Sequence, residues 1–475
     1  MLSTEPVFFL CGLAIFIAFY AAPSVTLQTL VLAVGSFAMY SVEGWAFLAI
    51  LIVSSLLTTI CSYFASFGQK RRATFALAIG VTANLLVLAA FKYYGLILPH
   101  NMTAGSSVVH DLFRLGLPIG ISFYTFHGVS LIVDTWRNRD LLSLEGRRRS
   151  FPRHLLDTSL YLSFFPQLVA GPITKGREFF PQITRKYLRD VPWTAAAHDI
   201  AIGMFLKRVI ADNLNELTLP LVDARTYDVM PQANLFAMII GYSAQIFADF
   251  AGYSLIAIGV AKLFGYKLPD NFNQPYIAQS ITDFWRRWHM SLSSWLREYL
   301  YISLGGNKHG VVRTYFNLLA VMILGGLWHG AAWKFAFWGL WHGLWLVSER
   351  ALRIGEPSAK AWYLAPFRVL CTFTIVTIGW MFFRLNSVGD FLHLMNEFSE
   401  PMRALATRPS GKAELVNIYV LSAVVLLFHV PKSWFSWNET AVRFGRALNP
   451  YYVGALAAAT LMASGNQHAF IYFQF

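Results

Sequence analysis

The chain has 475 residues, of which 56% are hydrophobic and only 13% are charged, and its mean hydropathy is +0.49. Soluble domains carry roughly 25% charged residues, so these values exclude an ordinary soluble protein and indicate a polytopic membrane protein. In a soluble protein, a net charge of +13 would suggest that the protein binds nucleic acid. Here the basic residues lie in short loops between apolar runs, so membrane lipid is the expected partner and nucleic acid is not.

Twelve apolar runs are candidates for membrane-spanning helices, because a span needs about 20 apolar residues. Several runs are short or interrupted, so about ten to twelve spans are predicted. The first run lacks a basic leader and is followed directly by the second, which predicts a retained span. The runs are 6–22, 26–43, 45–66, 74–98, 115–134, 197–219, 233–264, 315–327, 331–349, 366–386, 414–431 and 450–464.

Basic residues in the loops predict the orientation of the chain in the membrane. The segment 69–72 carries Lys70, Arg71 and Arg72 and should be cytoplasmic, whereas the loop 99–111 has no Lys or Arg and should lie outside. The next loop, 137–153, contains six arginines and should lie inside. Counting back through the spans predicts that the N-terminus lies outside.

Two segments are predicted to enter the membrane without crossing it. The apolar stretch that begins at His154 has basic residues on both flanks, so 154–190 should dip into the cytoplasmic side. The segment 265–313 is too polar to span, yet it is rich in Trp and Tyr. Such backbone needs protein or a water-filled cavity around it. The expected division is 1–112 for N-terminal helices, 113–350 for a catalytic core and 351–475 for C-terminal helices.

His329 is the first candidate for chemistry. It follows Gly325, Gly326 and Trp328 within apolar sequence, and glycines allow a backbone or a substrate to approach closely. A neutral imidazole in apolar surroundings can take a proton from a hydroxyl near neutral pH. The alternative is a structural histidine packed against Trp328 and Trp333. Trp328 itself is a candidate substrate contact.

His289 lies 40 residues before His329, so the two can meet only through the fold. Its neighbours Arg286 and Arg287 could bind a phosphate or complement the cytoplasmic leaflet. His342 lies thirteen residues beyond His329, which is about 20 Å along an unbroken helix. A structural or interfacial role is therefore expected for His342.

Asp249 is an acidic residue within a predicted span, which makes it a candidate for function. The alternative is an internal salt bridge to an arginine such as Arg286 or Arg297. Asn273, in the stretch NFNQPY, is a further candidate for substrate binding. The three cysteines lie in apolar segments without metal-ligand spacing, and no metal site is expected. The sequence has no Gly-x-Ser-x-Gly elbow and no Walker loop.

These motifs resemble the membrane-bound O-acyltransferase superfamily, and within it the bacterial branch typified by alginate O-acetyltransferase. The resemblance implies an all-α polytopic membrane fold. It is a ring of about 10–12 transmembrane helices, with re-entrant or half-spanning helices, around a central pore. The likeness is strongest over 245–345, through QIFADFAGYSLIAIGVAKLFGYKL, NFNQPYIAQSITDFWRRWHMSLSSWLREYLYISLGGN and GGLWHGAAWKFAFWGLWHG, and weaker over 116–137, 163–183 and 470–475.

The resemblance also implies roles for the two histidines. His329 would activate an acceptor hydroxyl as general base, and His289 would orient or polarise the acyl carbonyl or the developing oxyanion. One departure concerns the first block, where Leu255 stands in place of an acidic residue after Gly-Tyr-Ser and Ala251 replaces a common serine. This departure puts a polar contact near Asp249 in doubt but leaves the histidine pair intact.

The resemblance further implies the substrates and the partners. A thioester donor, acetyl-CoA, would enter from the cytoplasm, and no permanently bound cofactor is expected. The final acceptor would be a glycan outside a bacterial inner membrane, reached through a periplasmic SGNH-type acetyltransferase or another acceptor protein.

Three functions stay open at this point. The leading one is O-acetylation of an extracytoplasmic exopolysaccharide such as alginate or cellulose, and the second is O-acetylation of peptidoglycan. The third is a non-catalytic acyl transporter or a scaffold of a polysaccharide-export complex. A transporter would need a pair of broken helices at corresponding positions in the two halves of the chain, and the sequence shows only one such region. The presence of both His289 and His329 disfavours a scaffold.

Overall fold

The computed structural model describes residues 6–97, 116–144, 147–169, 171–354, 363–400, 409–429 and 439–468. Two predictions concern residues outside these ranges, namely the external position of the loop 99–111 and the family likeness at 470–475.

The described part of the chain is mostly helical, and each of the twelve apolar runs contains a helix. The first nine of the described helices are α1 (Pro6–Ala21), α2 (Val25–Ser41), α3 (Trp45–Phe67), α4 (Lys70–Ile97), α5 (Ile121–Arg137), α6 (Phe151–Ser163), α7 (Phe165–Leu168), α8 (Gly176–Phe179) and α9 (Trp193–Met204). The next ten are α10 (Asp212–Thr218), α11 (Gln232–Leu263), α12 (Ile281–Arg287), α13 (Met290–Trp295), α14 (Gly310–His329), α15 (Trp333–Ala351), α16 (Ala365–Arg384), α17 (Val388–Glu397), α18 (Pro409–Leu427) and α19 (Glu439–Ala463).

Shorter elements join these helices. Phe205–Ala211 and Leu296–Tyr301 are π-helical turns, a rare geometry that is frequent at functional sites. The described strands are β1 (Ser143–Leu144) and β2 (Arg147–Arg148), which pair antiparallel with Ser143 opposite Arg148. The 3₁₀ turns are Arg139–Leu142, Phe180–Gln182, Leu188–Asp190, Leu219–Val222, Ala224–Thr226 and Pro275–Ile277.

Five of the described helices are long and apolar enough to cross a membrane: α3, α4, α11, α14 and α16. A 20-residue helix spans about 30 Å, which matches the hydrocarbon core of a bilayer. Shorter apolar helices are Val7–Ala21, Val25–Ser41 and Tyr451–Ala463. The predicted fold class, an all-α polytopic membrane protein, is confirmed.

The two segments that were predicted not to span are built from short helices. Over 154–190 the longest helix, α6, has 13 residues, which is about 20 Å and too short to cross. Over 265–313 the helices α12 and α13 have seven and six residues. That neither segment crosses the membrane stays a prediction.

The chain packs into two compact units. One comprises Met1–Ile200 with Ile256–Pro269, and the other comprises Ala201–Leu255 with Asp270–Phe475. All candidate site residues lie in the second unit. The three-part division made from the sequence stays a prediction.

In the second unit, α14 and α15 form an antiparallel pair that meets at glycines. A Cβ atom at Gly326 would collide with the carbonyl oxygen of Phe335, and one at Gly339 would collide with the carbonyl oxygen of Met322. Small residues at such positions let two membrane helices approach until their backbones touch. This close approach sets the last residue of α14, His329, beside the first turns of α15.

Candidate active site

A cavity of about 500 Å³ opens beside the end of α14. Its walls come from α12, α13, the π-helical turn Leu296–Tyr301, α14 and α15. Apolar side chains form most of the wall. The polar and aromatic groups that matter for its chemistry are Trp285, Arg286, Arg297, His329, Trp338 and Arg350.

His329 ends α14 and reaches this cavity, with 6% of the residue exposed. Aromatic rings hold its imidazole on three sides: the ring centroids of Trp328, Trp338 and Phe383 lie 5.0, 5.2 and 5.2 Å away. The alternative interpretation of His329, a structural histidine, placed Trp328 and Trp333 against its ring. Trp333 begins α15 and is 67% exposed, and the helical turn carries Trp338 inward instead.

His289 occupies the break between α12 and α13, where its backbone is left-handed with φ 44° and ψ 52°. That conformation costs a bulky residue about 1–3 kcal/mol and clusters at functional sites. The residue is fully buried. It lies outside the spanning helices, and its burial lowers the pKa of the imidazole to about 3, so the ring is neutral at physiological pH.

Asn271 holds His289 and the start of α13 in place. Its Oδ1 lies 3.3 Å from His289 Nδ1 and accepts hydrogen bonds from the hydroxyl and the backbone N–H of Ser291, at 2.6 and 3.4 Å. The backbone carbonyl oxygen of Asn271 accepts a hydrogen bond from the backbone N–H of Met290 at 3.0 Å. Its Nδ2 donates to Ser254 Oγ on α11 at 3.0 Å. One buried asparagine therefore ties α11 to the strained turn at His289.

The fold brings the two candidate histidines to one indole. The ring centroid of Trp328 lies 5.0 Å from that of His329 and 6.3 Å from that of His289. Phe250 of α11 packs edge-on against the His289 ring at 4.6 Å. His289 and His329 therefore flank Trp328 although 40 residues separate them.

The arginines of α12 have different surroundings. Arg286 lines the cavity. Arg287 forms an ion pair with Asp283 at 2.8 Å, and its backbone carbonyl accepts the N–H of Asn273 at 2.9 Å. Asn273 has an exposed side chain. In the described part of the chain, Arg287 and Asn273 lie outside the cavity lining, and their predicted roles in substrate binding stay predictions.

Asp249 forms an ion pair with Lys207 at 2.7 Å, and Lys207 also pairs with Asp212 at 2.8 Å. All three side chains are at most 5% exposed. The internal salt bridge considered for Asp249 is therefore present, with Lys207 as the cation where an arginine such as Arg286 or Arg297 was expected. The π-helical turn Phe205–Ala211 brings Lys207 against α11. The turn can approach α11 closely because Gly252 has no side chain: a Cβ atom at Gly252 would lie 2.9 Å from the backbone nitrogen of Lys207.

Sequence reasoning missed several residues of this site. Asn271 stands two positions before the predicted Asn273, and the strained turn gave no sequence signal. Arg297 was considered only as an ion-pair partner, and Arg350 lies at the end of α15. His342 is buried and also packs against Trp338, with ring centroids 5.0 Å apart. The helix is broken between His329 and Trp333, so the separation of about 20 Å expected for an unbroken helix was wrong, and the structural or interfacial role of His342 stays a prediction.

Similarity to known proteins agrees with this geometry. Residues 37–388 match the membrane-bound O-acyltransferase (MBOAT) family. The chain is 36% identical to the probable alginate O-acetylase of Azotobacter vinelandii, over 82% of this chain and 76% of that protein. It is also 36% identical to the probable alginate O-acetylase of Pseudomonas aeruginosa, over 90% and 81% of the two chains.

A third relative acts on a different polymer. The chain is 37% identical to the peptidoglycan O-acetyltransferase of Helicobacter pylori, over 67% of this chain and 63% of that protein. The family match covers the cavity, both histidines and most of the helices. The chain therefore belongs to the membrane-bound O-acyltransferase family and is a multi-pass membrane O-acyltransferase.

Proposed function

We propose that this protein moves an acetyl group from acetyl-CoA on the cytoplasmic side of a bacterial inner membrane to an acceptor on the outer side. The final product is an O-acetylated extracytoplasmic polysaccharide, with an exopolysaccharide such as alginate as first choice. A periplasmic SGNH-type acetyltransferase or another acceptor protein completes the transfer. The names of the relatives, alginate O-acetylase and peptidoglycan O-acetyltransferase, support acetyl as the group and a polysaccharide as its destination.

The observation that carries the proposal is the composition of the cavity wall. His329 shares an otherwise largely apolar cavity with Arg286, Arg297 and Arg350. Guanidinium groups bind phosphate oxygens through paired, charge-assisted hydrogen bonds. Acetyl-CoA joins phosphates to a long uncharged arm that ends in a thioester, and a cavity wall that carries both arginines and a histidine matches such a donor.

The chemistry assigned to His329 is general-base catalysis. The O–H bond of the acceptor breaks, its proton goes to the imidazole, and its oxygen forms a bond to the acetyl carbonyl carbon. The C–S bond of the thioester then breaks, and the sulfur of CoA leaves with the proton from the imidazole. Proton transfer of this kind contributes about 10²- to 10⁴-fold to a rate.

The charge of the loops supports the orientation. Basic residues at 69–72 and at 137–153 favour a cytoplasmic position for those loops, on the side where the donor is made, and an external N-terminus. The same loops would bind anionic lipid.

The test incubates the purified protein in nanodiscs with radiolabelled acetyl-CoA and either alginate oligosaccharides or peptidoglycan fragments. The wild type should release CoA and label the glycan, and His329→Ala should lose both by about 100-fold or more. His309→Ala is the matched control, because His309 is exposed at the opposite end of α14. Equal release of CoA by the wild type and His329→Ala would refute the proposal.

Peptidoglycan is the second candidate acceptor, supported by the Helicobacter pylori relative. Label on peptidoglycan fragments and none on alginate would select it. Movement of intact acetyl-CoA or of acetate across the membrane, without thioester cleavage, would instead show a transporter.

A further inference from the structure

The contact between Asn271 Oδ1 and His289 Nδ1 bears on which nitrogen of the imidazole carries the proton. Two features of the site make this assignment: the identity of the asparagine atom that faces the imidazole, and the neutral state of the ring. The consequence for catalysis rests on the proposed acyl transfer, whereas the position of the proton does not.

The first step fixes the orientation of the Asn271 amide. The backbone N–H of Ser291 can only donate a hydrogen bond, and it points at the same asparagine atom as the Ser291 hydroxyl and His289 Nδ1. That atom must therefore be the side-chain amide oxygen of Asn271, Oδ1. The NH₂ group then faces the hydroxyl of Ser254 at 3.0 Å, which accepts its hydrogen bond.

The second step concerns the imidazole. A neutral imidazole has one N–H donor and one acceptor nitrogen, and the partner of one nitrogen sets the state of the other. An amide oxygen can only accept, so His289 Nδ1, 3.3 Å from Asn271 Oδ1, must be the donor. Nε2 is left with a lone pair.

The third step concerns rigidity. The backbone of His289 is left-handed, and its carbonyl oxygen already accepts the N–H of Ser293 at 2.9 Å. The ring is packed edge-on against Phe250 with a centroid distance of 4.6 Å. A flip of the ring would put Cδ2 in the place of Nδ1, break the contact with Asn271 and disturb this packing.

We propose that Asn271 is a positioning residue that holds His289 with its proton on Nδ1. His289 therefore presents a hydrogen-bond acceptor at Nε2. It acts in the reaction by accepting a hydrogen bond or a proton, and it does not donate a hydrogen bond to the acyl carbonyl or the oxyanion. This role differs from the one that the family resemblance implies for His289.

The direct test is nitrogen NMR of the full-length protein in nanodiscs, labelled with ¹⁵N-histidine, with the His289 signals assigned by difference from His289→Gln. Protonated and unprotonated ring nitrogens have well-separated shifts. We expect Nδ1 protonated and Nε2 unprotonated in the wild type. A proton on Nε2 in the wild type overturns the proposal, whatever the substrate of the enzyme is.

Variants of the hydrogen-bond partners test the cause. Asn271→Leu removes the acceptor at similar volume, so the proton should redistribute to Nε2 and kcat should fall about 100-fold with little change in KM. Asn271→Asp restores an oxygen at the same place, so the Nδ1 proton and part of kcat should return. Ser291→Ala removes a different donor to the same oxygen and should leave the proton on Nδ1.

Two further variants control for effects of substitution that do not involve the contact between Asn271 and His289. Ser254→Ala removes the acceptor of the Asn271 NH₂ group but leaves the Ser291 N–H that fixes the amide oxygen, so the proton should stay on Nδ1 of His289. Asn138→Asp makes the same change as Asn271→Asp at an exposed asparagine and should alter no His289 signal. An unchanged Nδ1 proton in Asn271→Leu would show that Asn271 does not set the state of the ring.

Discussion

The imidazole of His329 packs edge-on against the indole of Trp338, with ring centroids 5.2 Å apart and ring planes at 89°. His329 ends one helix and Trp338 lies on the next, so the contact spans the turn between α14 and α15. Edge-to-face pairs contribute about 0.5–1.5 kcal/mol beyond the burial of their area. The contact also fixes the angle at which the imidazole meets the cavity.

Replacement of Trp338 by alanine should therefore lower kcat as well as stability. Loss of a buried Trp costs about 3–5 kcal/mol, and a misplaced base lowers the rate even where the protein still folds. Trp338→Phe should keep the edge-on contact and most of the activity. Initial rates of CoA release and the melting temperature in detergent check both variants. Equal kcat in wild type and Trp338→Ala would contradict a positioning role for the indole.

The three cavity arginines should control donor affinity. Arg286→Gln or Arg350→Gln should raise KM for acetyl-CoA about tenfold with a smaller change in kcat, because a hydrogen bond to a charged group contributes about 1.5–3 kcal/mol. The matched control is Arg313→Gln, since Arg313 is exposed near the start of α14. Steady-state kinetics with acetyl-CoA as the varied substrate give the measurement. A change in kcat without a change in KM would contradict a role of these arginines in binding the donor.

The buried ion pairs of Lys207 should respond unequally to substitution. Lys207→Met leaves Asp249 and Asp212 buried without this cation and should destabilise the protein by about 3–5 kcal/mol. Asp249→Asn should cost less, because Lys207 keeps Asp212 at 2.8 Å.

Thermal unfolding in detergent, followed by tryptophan fluorescence, measures this difference. Asp223→Asn is the control, because Asp223 forms an exposed ion pair with Arg225; its melting temperature should not change. If Lys207→Met has the same melting temperature as the wild type, Lys207 does not stabilise the buried carboxylates of Asp249 and Asp212.

The glycines between α14 and α15 should not tolerate a methyl group. Gly326→Ala and Gly339→Ala would each place a Cβ atom against a backbone carbonyl of the facing helix. Such overpacking costs about 1–3 kcal/mol, and separation of the helices would also move His329. Lower kcat and a lower melting temperature are therefore expected together.

The control for this pair is Gly454→Ala. Gly454 lies on α19, and an added Cβ would meet nothing within 4 Å. Because alanine restricts the unfolded chain, this variant should match the wild type or exceed its stability by about 0.4–1 kcal/mol. A loss of stability in Gly454→Ala equal to that in Gly326→Ala would point to a general effect of helix glycines.

The sequence predicted the parts of this protein that depend on local composition. Apolar runs of about 20 residues form helices because a lipid environment requires each backbone N–H and C=O to be paired within its own segment. For that reason all twelve runs contain helices, and the short helices of 154–190 and 265–313 fall where charge excluded a span. The glycine-flanked motif at His329 was visible for the same reason, since its residues are neighbours in the chain.

The tertiary structure alone decided which distant residues meet. Asp249 pairs with Lys207 instead of an arginine because a π-helical turn and Gly252 bring those two elements together. Asn271 meets His289 because the chain reverses through a left-handed residue. Hydrophobic periodicity carries no information on a single strained φ or on the state of an imidazole proton, because both are set by the packing and hydrogen bonds of residues far apart in sequence.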